Sequence, residues 1–154
     1  MIADIVETYF NKTIKDLIKN YDDLGLRASG RYANQLKVII TKSGTKINAK
    51  ITGPVESYFM EQGRGPNKDT SHQAVKNLGW HLQEWVKDKG IDVNPYAAAH
   101  KIVNEGITVP NQHNRGGVIS DIINDNWFKD LNELLRFDVV QNIKSDVLKQ
   151  FKAN

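Results

Sequence analysis

The sequence predicts an α+β fold: a long amino-terminal helix packed on an antiparallel meander of three to four strands, with several helices following. Three observations carry this prediction. Apolar residues recur at three- and four-residue spacing from residue 2 to about 24. Period-two alternation takes over between residues 35 and 52. From about residue 70 the helical period returns and runs to the carboxy-terminal region. A chain of 154 residues suits one domain with a continuous core, its β part at about 31–62 and its helical part at about 70–154.

In the first helix the apolar stripe is Ile2, Ile5, Val6, Tyr9, Phe10, Ile14, Leu17, Ile18, Tyr21 and Leu24, with Asp22, Asp23 and Gly25 at its end. Leu26 to Asn34 reads as a loop broken by Ser29 and Gly30. Gln35–Thr41 and Lys46–Thr52 read as a strand pair, Leu36, Val38 and Ile40 facing one way and Ile47, Ala49 and Ile51 answering them. Lys42-Ser43-Gly44-Thr45 is their hairpin turn, with Gly44 supplying positive φ. Gly53-Pro54 interrupts pairing, and Val55 to Glu61 is expected as a third strand, with residues 31–34 as a possible fourth at an edge. Thr70 or Ser71 caps the next helix, which runs to about Lys89 and stops at Gly90. Its inner face is expected to hold Ala74, Val75, Leu78, Leu82, Trp85 and Val86. Asn94 caps another helix with Pro95 in its first position, ending at Gly106. Ile107 to Pro110 is extended, and Asn111 to Gly117 is a polar loop. A helical repeat then runs from Val118 to about Phe137 and on through Val140, Ile143, Val147 and Phe151, as one helix or as two broken at Phe137-Asp138.

Composition excludes several function classes. Apolar runs fall far short of the ~20 residues that span a bilayer. The amino terminus lacks the basic and apolar regions of a signal peptide, so none is expected. Without cysteine there are no disulfides and no thiolate metal sites, which fits a reducing cytoplasm. A net charge of +3 is mild for a protein that neutralises many phosphates.

No pattern of catalytic residues stands out. His72 and His81 fall on different faces of one predicted helix, and His100 and His113 lie on other elements. His81 and Glu84 could share a face, but no third ligand completes a metal site. His113-Asn114-Arg115 lacks the neighbouring carboxylates a nuclease needs, since Asp121 and Asp125 have ordinary solvated spacing. There is no Gly-x-Ser-x-Gly elbow. Gly63-Arg64-Gly65 has no third glycine and no βαβ context, so it is not a nucleotide loop. No metal or cofactor is expected.

The stretch from Tyr58 to Pro66, Tyr-Phe-Met-Glu-Gln-Gly-Arg-Gly-Pro, is instead a shaped basic corner. Asn114-Arg115-Gly116-Gly117 forms a second basic, glycine-containing loop, and Trp80 lies off the apolar stripe of its helix as a candidate interface anchor. The candidate contact residues are therefore Tyr58, Glu61, Gly63, Arg64, Gly65, Pro66, Trp80 and Arg115. A second reading starts from Lys37, Lys46, Lys50, Arg64 and Lys68 around the sheet, as in a small nucleic-acid-binding or regulatory protein. Interleaved aromatics of a single-strand platform are missing, and lysines protecting a sheet edge explain the cluster equally well.

The order of elements and the turn Glu61 to Pro66 resemble the small neck proteins of tailed bacteriophages: head–tail connector, tail-completion or minor tail proteins. Gly106-Ile107-Thr108-Val109-Pro110 and Gly116-Gly117-Val118-Ile119-Ser120-Asp121 are also similar to segments of such proteins. The paired terminal helices and the Ile107–Pro110 segment depart from the shorter members. The resemblance implies a non-enzymatic virion protein made in the host bacterial cytoplasm. It implies a homo-oligomeric ring, six- or twelvefold, between portal or connector and tail proteins, with DNA passing through the lumen and no membrane partner.

Overall fold

A computed structural model describes residues 2–152, with side chains through residue 149. Phe151, expected on the apolar repeat, lies outside the described side chains. The elements in chain order are α1 (Ile2–Asp23), α2 (Arg31–Gln35), β1 (Lys37–Ser43), β2 (Lys46–Thr52), α3 (Glu56–Gln62), β3 (Gly63–Arg64), α4 (His72–Lys89), α5 (Pro95–Glu105), β4 (Ile107–Thr108) and α6 (Asp125–Lys152).

One stripe of α1 is buried, formed by Ala3, Val6, Thr13, Leu17 and Tyr21 at helical spacing. It packs on the β1–β2 hairpin and on the start of α6. Trp127 holds that second contact. Its Nε1–H donates to Thr13 Oγ1 at 2.8 Å, and its carbonyl accepts from the Tyr9 hydroxyl at 2.9 Å. The Tyr9 and Phe10 rings lie 5.2 and 5.4 Å from it. A buried threonine and a half-buried indole thus satisfy each other, removing the desolvation cost of leaving either unpaired.

The end of α1 explains why the chain turns where it does. Gly25 adopts φ 68°, its N–H bonds to the Asp22 carbonyl, and the Leu26 N–H bonds to the Tyr21 carbonyl. This is the paired closure of a Schellman motif, which needs a residue free of the Cβ penalty at that position. Leu26 is thereby brought to a core of Tyr21, Tyr32 and Val118, with Leu36, Met60 and Ile119 packed round it. The short helix α2 places Tyr32 against Tyr21 with ring centroids 4.4 Å apart.

The β1–β2 hairpin forms with the expected apolar face, Val38 opposite Ile51 and Ile40 opposite Ala49, but Lys42 and Ser43, expected in the turn, extend β1 and pair with Ile47 and Lys46. Gly44, at φ 58°, turns its two-residue loop. The meander goes no further. Residues 31–34 belong to helix α2 and form no edge strand, and Val55 to Glu61, expected as a third strand, lies largely in helix α3. Three consecutive apolar residues, Tyr58-Phe59-Met60, satisfy either period, and length alone cannot separate a buried strand from a helical turn. Pro54 and Glu56 decide it. The Pro54 carbonyl accepts from the Ser57 N–H at 3.1 Å, opening a helical turn that carries Glu56 at its positive end. Among the described residues the strands form two separate two-stranded antiparallel sheets, β1–β2 and β3–β4.

The other caps fall where the sequence put them. Ser71 Oγ accepts from the Ala74 N–H, and Gly90 ends α4 in the left-handed region. Asn94 accepts from the N–H groups of Tyr96 and Ala97 at the start of α5. The last helix differs. Residues 118–124 form turns, Asn124 Oδ1 caps α6 by accepting from Asn126 and Trp127, and α6 then passes Phe137-Asp138 without a break. Neither residue is a glycine or proline, and Asp138 accepts from Asn142 one turn on, so the helix continues.

Gly79 lies in the middle of α4, where glycine normally costs about 1 kcal/mol relative to alanine. Here a Cβ would overlap the Tyr96 ring. Gly79→Ala should therefore destabilise by about 1–3 kcal/mol despite its better helix propensity. A chemical-denaturation cycle with Tyr96→Ala should recover part of that loss.

Tyr32 gives a pH signature. It is 4% exposed and its hydroxyl has no hydrogen-bond partner. Burial, with Tyr21 and Glu61 near by, pushes its pKa up to about 12 from 10.0. The folded protein therefore favours the neutral phenol. That contribution is complete below the unfolded value near pH 10 and is lost as pH rises towards 12, roughly 2–3 kcal/mol in all. Urea midpoints measured from pH 8 to 12 should fall over this window. Tyr32→Phe should flatten the fall without loss of stability at pH 7, because the hydroxyl it removes is unpartnered.

Candidate interaction site

Helices α3 and α5 end alike. Each is closed by a glycine at φ 78° with nearly extended ψ, Gly63 after α3 and Gly106 after α5. From each glycine the chain enters one of two very short strands, and these pair antiparallel, Gly63 with Thr108 and Arg64 with Ile107. A Cβ on Gly63 would overlap the Ile107 carbonyl, and one on Gly106 would overlap the Arg64 carbonyl. Both positions thus combine a left-handed φ with backbone packed on backbone, two independent reasons for glycine. Gly65 differs: its φ is not positive, and a Cβ there would meet nothing within 4 Å. Of the two glycines framing Arg64, one is required by the fold.

The loop after β4 is tied to this crossing by side chains. Glu61 accepts from the Ile119 N–H at 2.8 Å and from the Ser120 hydroxyl. Asn114 Nδ2 donates to the Met60 carbonyl at 2.9 Å, while its Oδ1 accepts from the Gly116 N–H at 2.9 Å. From the other side Asn20 Nδ2 reaches the Gly117 carbonyl at 2.8 Å. Glu61 thus anchors the chain at Ile119–Ser120, while Asn114 and Asn20 hold Gly116 and Gly117 just before it.

The structure brings most of the expected contact residues to this region but gives them different roles. Glu61 and Gly63 face inward and organise the fold. Arg64 is half-buried; its guanidinium donates to Asn67 Oδ1 and lies 5.9 Å over the Phe59 ring. Gly65 and Pro66 are exposed. Tyr58 is 57% exposed and stands beside Val55 and Phe59, so α3 carries an apolar outer surface. Arg115 pairs with Asp121 at 2.5 Å, and that carboxylate raises the arginine's pKa. Trp80 lies on α4, 64% exposed, its ring 5.1 Å from His81. Trp85, expected on the inner face of α4, is also exposed. Val55 and Phe59 were not among the expected contact residues because a strand assignment sets them on the face opposite Tyr58, whereas the helical spacing of i, i+3 and i+4 brings all three to one side.

The arrangement offers shape and surface. Among the described residues no group of three or more His, Asp or Glu gathers where a metal could bind, and no helix is long and apolar enough to cross a membrane.

Substituting the two kinds of glycine should separate fold from surface. Gly106→Ala should cost about 3 kcal/mol or more in denaturant titrations, because strain and overlap add. Gly65→Ala should stay within about 0.5 kcal/mol of the parent. No family model, curated protein or solved structure matches the chain.

Proposed function

We propose that this chain is a non-enzymatic structural protein of a tailed-phage virion. In this reading identical copies form a ring, six- or twelvefold, at the head–tail neck or tail end. The ring joins connector to tail and lets DNA pass without reading its sequence. The likeness of Glu61–Pro66 and of the flanking segments to phage neck proteins supplies the class. The observation that carries the reading is the apolar surface left uncovered among the described residues of a single subunit: Val55 just before α3 and Tyr58 on it, Trp80 on α4, and a row along the second half of α6. Scattered exposed apolar residues are ordinary, but several large ones along one helix mark a contact surface. A closed ring needs two different patches per subunit meeting head to tail, and these surfaces lie on separate elements. Candidate contacts in this reading are Tyr58, Arg64, Pro66, Trp80 and Arg115, with Glu61 and Gly63 acting through the turn they hold.

The alternative, a small basic nucleic-acid-binding or regulatory protein, draws on Lys37, Lys46 and Lys50, which are exposed on the outer face of the β1–β2 hairpin. No aromatic residue interleaves them there, so that face lacks a stacking platform.

Light scattering after size exclusion should give closed assemblies at a fixed multiple of the 17.4 kDa subunit. DNA affinity should be weak and little changed between 50 and 200 mM salt. A monomer at every concentration, with DNA binding that falls steeply as counterion release demands, would favour the alternative.

A further inference from the structure

The last helix changes sides. At ~100° per residue, the apolar residues of its first half (Trp127, Leu131, Leu134 and Leu135) centre on one direction. In the second half Phe137, Val140, Ile143, Val147 and Leu148 centre about 150° away, with Val139 lying between the two directions. The first half faces α1 through Trp127. A continuous helix cannot turn its second face onto the same body, and that face is open: Phe137 is 67% exposed, Val140 and Ile143 each 59%.

Charge selects an occupant. Arg136 and Lys144 lie within this distal face, while Asp138 and Asp146 project from the opposite side. Among the described residues neither cation makes an ion pair. A symmetric antiparallel pairing centred on Val140, the middle of this face, would set Arg136 against Lys144, which disfavours that contact, although Glu133 lies in line with the face one turn before Phe137. A complementary surface lies on α4. Trp80, Glu84, Trp85 and Asp88 share one exposed side together with His81, among the described residues the two carboxylates make no ion pair, and Lys76 and Lys87 lie about a quarter turn away.

We infer that the distal half of α6 docks on the Trp80–Asp88 side of α4 in a second copy of the chain. Apolar residues fill the centre of this contact, and Arg136 and Lys144 face Glu84 and Asp88. The contact is heterologous, as a ring requires. It rests on the ring reading above and adds to it the two surfaces that meet.

Two charge-reversed chains test it: E84K/D88K and R136E/K144E. Each alone should remain folded by circular dichroism, yet need at least about ten times the parent concentration to assemble, because like charges now face each other. An equimolar mixture should recover assembly, since each kind then presents attractive charges to the other and the two alternate round an even-numbered ring. Assembly of either variant alone at the parent concentration overturns the inference and leaves the ring reading standing. Loss of assembly in both, with no recovery on mixing, also overturns it. A parent chain that is monomeric at all concentrations removes both.

Discussion

The approach of two backbones at Gly63 and Gly106 is the constraint on which the rest of the structure depends. Two helices from distant parts of the sequence stop at the same geometry and hand over to strands of two residues each. So short a ladder supplies little hydrogen-bond stability by itself. Its effect is positional: it sets the end of α3, the end of α5 and the following loop at one point, and the α4–α5 helix pair extends from there.

Polar groups complete that junction because backbone at such a crossing cannot all be satisfied by a two-residue sheet. The Glu61 carboxylate accepts from the Ile119 N–H, Asn114 Nδ2 donates to the Met60 carbonyl, and Asn67 accepts from the Arg64 guanidinium at its Oδ1 while its own N–H donates to the Val103 carbonyl at 2.8 Å. Val103, whose carbonyl accepts one of these bonds, and Val118, next to Ile119, are both fully buried. The basic corner is therefore a rigid internal bracket whose outer rim, rather than its whole length, is available for contact.

The sequence was most legible where a residue type has one physical use. Asn94-Pro95, Ser71, Gly44, Gly90 and Gly106 named their caps and turns because φ and side-chain acceptors leave few alternatives. It was least legible at Val55–Glu61, where a consecutive apolar run fits both periods and Pro54 and Glu56 tip the balance towards helix. The start of α6 was also missed, because Val118, Ile119, Ile122 and Ile123 keep a helical spacing while lying in turns tied to Gly117. Of the site, Trp80 was expected to lie off the apolar stripe of its helix and is exposed, as are Tyr58 and Pro66. The inward work of Glu61 depends on a loop 58 residues away, and no local pattern announces such a partner.

The reversal along α6 follows from the same limits. A helix that serves only its own core keeps one apolar direction, since each turn must return to the same neighbour. Where the direction moves nearly half a turn while the hydrogen-bond ladder continues, the two halves answer to different surfaces. Trp127 and its partners on α1 identify the first surface as the chain's own body. Among the described residues the second half has no such partner in one subunit, yet it bears large apolar residues that would be disfavoured on a permanently solvated face. Continuity of the helix then matters mechanically. A contact made at Ile143 is transmitted through an unbroken rod to Trp127, so a neighbour gripping the distal half would orient the whole subunit without altering its core.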